Sequence, residues 1–304
     1  MAGGCNPLPL RQRRGMAASL RASCTKTCMD ALWLPGFSVR RDVGAEKRIT
    51  RQMADLTYPG GKLRLFVDAA LAEGARVEPS ASQAHYLLHV MRARPGEQVA
   101  LFNGRDGEWL ARLAEFSRRQ TALLCTERIA PQTFVPDLWF AFAPVKKTAA
   151  EYVVQKATEL GVRRLIPVIT RRTIVRKVNP QRLAANAIEA AEQSGRREVP
   201  AIAEVLTLEA MLARWPQERA LLFCDEAGDA PPIADAVIAL GGRPSGVLIG
   251  PEGGFEPTER EAIRAKGFAC PASLGARILR ADTAGLAALA VWQALAGDWR
   301  VAGV

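Results

Sequence analysis

From residue 137 onward, short and continuously apolar runs alternate with longer segments of helical period. The apolar runs are Leu138–Val145, Leu165–Thr170, Ala220–Cys224, Gly246–Gly250 and Ala269–Leu274. Runs of this length without polar alternation predict strands covered on both faces. Between them the pattern predicts helices. Lys147–Leu160 ends at Gly161, and Pro180–Ser194 has Asn179 as N-cap, Pro180 as its first residue and Gly195 past its end. Thr258–Glu261 reads as a capping box after Pro257, opening a helix through Lys266. The last helix, Thr283–Ala296, is capped by Asp282 or Thr283. Strands alternating with helices predict an α/β domain built on a parallel sheet.

The last helix carries its own message. From Ala284 to Ala296 only Gln293 is strongly polar. A helix apolar on every side is expected to be buried on every side. For a terminal helix that means being threaded into the fold and packed into an oligomer interface.

Residues 62–130 follow a different pattern. Lys62–Val67 alternates, and Gln98–Phe102 and Gly107–Phe116 are joined by Asn103-Gly104-Arg105-Asp106, which is good hairpin chemistry. Gln120–Glu127 is a further strand, and Ser82–Met91 is a helix with His85 and His89 on one face. This is a small β-rich domain. Residues 1–52 show no clear period and are expected to be an unstructured basic extension outside both domains. An upstream extension from an early start codon explains it better than a mitochondrial-type presequence.

Composition changes this picture in three ways. At 304 residues and 49% hydrophobic, the chain has material for two globular domains. No apolar run approaches the roughly 20 residues that span a bilayer, so a soluble protein is expected. The net charge is +10, but residues 1–52 hold ten Lys/Arg against three acids, so +7 of it lies there. The body is only mildly basic, a modest footprint for a nucleic-acid partner. The six Cys and two His show no metal-ligand spacing, Cys24 and Cys28 included, and no metal is expected.

Two segments carry candidate chemistry. In Ile249-Gly250-Pro251-Glu252-Gly253-Gly254 a buried strand runs into a glycine-rich loop and then a helix. Ligands of open parallel sheets sit at such carboxyl ends. The loop lacks the Gly-Lys-Ser/Thr of a phosphate loop and the dinucleotide fingerprint. Glu252 would repel phosphates, so the loop suits an uncharged or cationic ligand such as a sulfonium. The second segment, Leu274-Gly275-Ala276-Arg277-Ile278-Leu279-Arg280, also joins a strand to a helix. Its two arginines either pair with an acid such as Asp282 or Glu252, or face a polar substrate.

The stretches LIGPEGGFEPTEREAI and SLGARILRADTAGLAAL resemble the bacterial ribosomal RNA small-subunit methyltransferase E family, of the SPOUT class. VKKTAAEYVVQKATELGVRRLIPVITRRT, EAAEQSGRREVPAI, HYLLHVMRARPGEQVALFNGRDGEW and RLFVD extend the resemblance over about residues 63–298. The sequence departs at Asp282, where the family usually has Glu, and at Thr173, where Ser is usual. The resemblance implies S-adenosylmethionine-dependent methylation of uridine N3 in 16S ribosomal RNA by a cytoplasmic homodimer. It implies a PUA-like β-barrel domain at 53–131 and a methyltransferase domain at 137–304 with a C-terminal trefoil knot. The donor would lie among Cys224, Asp225, Ile249–Gly254, Leu274, Gly275, Ile278 and Leu279. Arg280, with Arg277 as alternative, would stabilise the uracil anion. Glu252 or Asp282 would take the proton. Arg92, Arg94, Lys146, Arg171, Arg172, Gln193 and Arg196 would hold RNA.

Overall fold

The computed structural model describes residues 63–116, 121–144, 147–175, 178–225 and 228–300. The basic extension, residues 53–62 and Lys146 lie outside the described residues. Two sheets organise the rest. The first runs in the order β1 (Arg64–Phe66), β3 (Gln98–Phe102), β4 (Glu108–Phe116), β5 (Thr121–Ala130), β2 (Arg76–Val77). The β3–β4 hairpin forms where Asn103–Asp106 predicts it, with Asn103 Oδ1 accepting from the Arg105 and Asp106 amides. Asp106 accepts from the Leu71 amide at 2.9 Å and from Asn103 Nδ2 at 2.6 Å. These bonds, the Leu71 amide first, hold its carboxyl below the usual carboxylate range. Three register shifts between β4 and β5 curl the sheet. Its core is Leu65, Leu87, Val99, Leu101, Leu113 and Leu123.

The helix expected at Ser82–Met91 is two pieces. Helix α1 (Ala81–His85) is capped by Ser80, whose Oγ accepts from the Gln83 amide while Gln83 Oε1 accepts from Ser80. A π-helical turn, Tyr86–Val90, follows it. The rings of His85 and His89 lie 4.7 Å apart, on one face as expected.

The second sheet is parallel throughout, in the order β12 (Ala269–Ala272), β10 (Ala220–Cys224), β11 (Ser245–Ile249), β6 (Leu138–Phe142), β7 (Arg164–Ile169), β8 (Ala201–Ile202). β9 (Leu206–Thr207) also pairs with β7. Alternate residues of these strands serve two cores, because successive side chains point to opposite faces. Phe140, Phe142, Leu222, Val247 and Ile249 meet helices α2 (Lys147–Glu159), α3 (Pro180–Ser194), α5 (Ile233–Ala239) and α7 (Ala281–Ala296). Ala141, Leu221, Phe223 and Leu248 meet α4 (Leu208–Arg214) and α6 (Pro257–Arg264). The strands are therefore covered on both faces, which is why they read as unbroken apolar runs.

Two helix starts differ from expectation. Pro257 takes the first helical position of α6, so Glu256 is its N-cap, and the Glu259 carboxylate accepts from the Glu256 amide at 3.0 Å. Helix α7 starts at Ala281 with Arg280 as N-cap. Asp282 lies inside the first turn, its Oδ1 accepting from the Thr283 amide. Nor is α7 buried all round within one chain. Ala284, Gly285, Ala288, Leu289, Trp292 and Gln293 are buried, whereas Leu286, Ala287, Ala290 and Val291 are half-buried and Ala294 is exposed. Gly285 lets the helix close on the sheet, since a Cβ there would come 2.8 Å from Phe140 Cζ. The one polar residue has a structural task. Gln293 Nε2 donates to the Leu160 carbonyl at 2.6 Å, and its Oε1 accepts from the Asp298 amide at 3.2 Å.

The small sheet is fastened to α3. Arg64 donates through Nε to Glu108 at 2.7 Å and through its terminal nitrogens to the carbonyls of Ala191, Glu192 and Arg196 at 2.8–2.9 Å. The Ala191 and Glu192 carbonyls belong to the last turn of α3, which has no intrahelical partners for them. Glu192 in turn accepts from the Phe66 amide at 3.0 Å. Burial holds its carboxyl above the usual range, against the pull of the Phe66 bond and of Arg64.

Candidate functional site

The chain turns away from β10, β11 and β12 at neighbouring carboxyl ends, and the three turns enclose a cavity of about 290 Å³. This is where ligands of open parallel sheets bind. The turn after β11 gives Ile249, Gly250, Pro251, Glu252 and Gly254 to the lining, with Phe255 behind. The Gly254 amide donates back to the Pro251 carbonyl at 2.9 Å, and Gly254 adopts φ +68°, open to glycine. A Cβ on Gly250 would come 2.8 Å from the Phe255 ring, so that ring packs on bare backbone. The turn after β12 gives Leu274, Gly275, Arg277, Ile278 and Leu279, with Gly275 at φ +96°. Ile278 stands out at the mouth, 94% exposed. The turn after β10 gives Cys224, Asp225 and Gly228.

Eleven of the twelve residues expected at the donor site therefore line one cavity. The exception is Gly253, whose carbonyl accepts from Arg172 Nη1 at 2.8 Å on the outside of the turn. Of the catalytic candidates, Glu252 and Arg277 are in the lining. Arg280 is not: it is exposed, at the α7 N-cap, between Leu279 and Ala281, which do line the cavity. Sequence reasoning missed Gly228, Phe255, Ala272, Ser273, Ala281 and Ala284 of the lining. Gly228 is the instructive case, because it follows a third buried strand end that had the same signal as the other two.

The walls are mostly apolar. Burial pushes the Cys224 thiol up to about 12, so it stays protonated and serves as wall rather than nucleophile. Asp225 is committed to α6: its carboxylate meets Arg260 Nε at 3.0 Å and Arg264 Nη2 at 2.6 Å. Among the described residues, Glu252 and Arg277 are the lining's remaining charged side chains, one of each sign and both exposed at the mouth.

The described residues among the expected RNA ligands separate into three groups. Arg92 and Arg94 are exposed beside the π-helical turn, Arg92 with φ +53°, and Gln193 is exposed in the last turn of α3. Arg171 and Arg172 brace the site. The Arg171 amide donates to Glu259 at 2.9 Å, and its guanidinium meets Glu256 at 3.1 Å. Thr173, buried beneath, accepts from the Thr170 amide at 2.9 Å. Arg196 corrects the expectation. It is 8% exposed and donates to the carbonyls of Thr158 and Val162 at 2.7 and 2.9 Å. Desolvation lowers its pKa to about 10. It ties α3 to the end of α2 and is not available to RNA.

Comparison with known proteins gives this geometry its family. Residues 133–293 match an RNA methyltransferase domain and residues 80–120 an RNA methyltransferase PUA domain. The ribosomal RNA small subunit methyltransferase E of Rickettsia conorii is 31% identical over 229 residues, 75% of this chain and 93% of the relative. The chain belongs to the ribosomal RNA small subunit methyltransferase E family. The Synechocystis member is 33% identical over 228 residues, 73% of this chain and 74% of the relative. The Neisseria gonorrhoeae member, crystallised bound to S-adenosyl methionine, superposes with a TM-score of 0.72 at 29% identity, covering 78% of this chain and 99% of that one. A putative methyltransferase of Legionella pneumophila, also in complex with S-adenosyl methionine, gives 0.71 at 28% identity, covering 78% and 98%. Family membership thus accounts for both sheets: an RNA methyltransferase domain on the parallel one and a PUA domain on the curled one.

Proposed function

We propose that this protein methylates N3 of a uridine in 16S ribosomal RNA, with S-adenosylmethionine as donor. The observation that carries the reading is the cavity itself, at three strand ends, in a chain similar to proteins crystallised with that donor. The walls fit such a molecule. Ile249, Phe255, Leu274 and Leu279 offer apolar faces, Gly275 leaves main chain open, and Glu252 gives negative charge opposite a cationic sulfur. Nothing among the described lining residues resembles a phosphate cradle.

When bound, S-adenosylmethionine supplies a methyl group on a positively charged sulfur. The chain's own residues must hold the acceptor and manage its proton. Uracil N3 becomes nucleophilic as its proton leaves, and negative charge then spreads to O2 and O4. Arg277, which is in the lining, stabilises that charge, in preference to Arg280, which is not. Glu252, at the same mouth, accepts the proton. Arg92, Arg94, Arg171, Arg172 and Gln193 contact the RNA strand, the phosphate contacts setting its register.

The reading extends to assembly. The half-buried apolar side of α7, with Leu286, Ala287 and Ala290, is covered in a cytoplasmic homodimer whose partner lies close to the cavity mouth. The last segment closes a trefoil knot, consistent with α7 packing between α5, α2 and β11. Among the described residues no helix is long and apolar enough to cross a membrane. The test is isothermal calorimetry of the purified chain with S-adenosylmethionine. Saturable binding at one site per chain, lost in Gly250→Val, is expected. Absence of binding, or binding untouched by that change, contradicts the assignment.

A further inference from the structure

Helix α6 gives no side chain to the cavity, yet its charges hold two of the cavity's walls. On one side, Glu259 accepts from the Arg171 and Glu256 amides at 2.9 and 3.0 Å, and Glu256 pairs with Arg171. On the other side, Arg264 gathers the turn that follows β10. Its Nε meets Asp225 Oδ2 at 2.8 Å, and Nη2 meets the same oxygen at 2.6 Å. Its Nη1 and Nη2 meet the two oxygens of Asp229 at 2.8 and 2.5 Å. The paired guanidinium holds the Asp229 carboxyl below its ordinary range.

The arrangement is a clasp. Asp225 and Asp229 flank Gly228, and Gly228 lines the cavity with Cys224 and Asp225. The Asp225 side chain is 1% exposed, and a carboxylate buried that far stays charged and in place only when paired. Arg264 is about a third exposed, and Asp225 keeps Arg260 at 3.0 Å as a second partner, so the loss of Arg264 bears on this turn more than on global stability. A planar guanidinium can engage two carboxylates at once; a lysine ammonium acts as a single point charge.

We propose that Arg264 is a positioning residue for methyl-donor binding: by holding Asp225 and Asp229 together it fixes the cavity wall formed by Cys224, Asp225 and Gly228. The inference rests on the cavity being the S-adenosylmethionine site. Arg264→Met in the full chain should raise both the dissociation constant and the KM for the donor about tenfold, the scale of one lost charge-assisted contact. The kcat at saturating donor should stay within about twofold, since ground-state positioning alone is removed. RNA affinity in filter binding should be unchanged. Arg264→Lys should recover part of the loss, and Asp229→Asn, outside the lining, should show a smaller version of it. Unaltered donor affinity in Arg264→Met overturns the proposal. So does a parallel fall of donor affinity, RNA affinity and melting temperature, which would make Arg264 a general structural residue. Failure of the parent protein to bind S-adenosylmethionine is a separate result: it removes the cavity reading, and the proposal with it.

Discussion

Replacing Arg64 with methionine is expected to lower the melting temperature by roughly 10 °C, from about 2–4 °C per kcal/mol for a chain of this size. The reason is the company Arg64 keeps. Its side chain is nearly buried and faces Glu108, which is fully buried. Arg197 is the second cation near Glu108, with its Nε at 3.4 Å, so one full partner is lost when Arg64 is removed. Deleting one member of a buried pair costs about 3–5 kcal/mol, and because Glu108 keeps Arg197 the loss falls at the lower end of that range. Three carbonyls, those of Ala191, Glu192 and Arg196, lose their donor at the same time. Arg64→Lys should restore little, since an ammonium cannot span Glu108 and the α3 carbonyls together. Scanning calorimetry checks this. A shift within about 2 °C would mean the pair contributes no more than an exposed one.

Arg277→Ala is expected to lower kcat by about 100-fold or more while leaving donor affinity nearly unchanged, the scale for removing one charge-stabilising donor from a transition state. Arg280→Ala should lose far less. The contrast follows from placement: both arginines are exposed, but Arg277 lines the cavity and Arg280, at the α7 N-cap, does not. Single-turnover kinetics with saturating donor and RNA separates chemistry from binding. If Arg280→Ala were the damaging change and Arg277→Ala turned over normally, the assignment would be reversed.

That contrast also marks where the sequence stops being informative. Both arginines lie in the same turn, three residues apart, and no period governs an irregular turn. Only the folded path decides which one borders the cavity. The two glycine-rich segments were legible because each joins a buried apolar strand to a helix, and strand ends are where parallel sheets bind ligands. The support of the third wall was less visible: Arg264, the partner of Asp225 and Asp229, lies 39 and 35 residues away from them on α6. Arg196 misled for a similar reason. An arginine just past a helix end resembles a surface ligand until its carbonyl partners, 34 and 38 residues upstream, are known.

Elements divided along the same line. Helix α3 was readable end to end, because Asn179, Pro180 and Gly195 each carry a local mechanism for starting or stopping it. Strands β2, β8 and β9 went unseen, since two residues have no period. The start of α6 was misplaced by reading Thr258 as the cap. Pro257 carried the better signal, since a proline at the first helical position fixes the cap at the residue before it. The π-helical turn at Tyr86–Val90 has no signature distinguishing it from a continuing α-helix.

The most direct test of the central claim is mass-spectrometric mapping of 16S ribosomal RNA from cells lacking this gene, before and after treatment with the purified protein and S-adenosylmethionine. The account predicts that one N3-methyluridine is missing from the untreated RNA and is restored by the protein, and not by its Arg277→Ala variant. A restored methyl group on a ribose, on another base, or on transfer RNA, or no restoration at all, would contradict it.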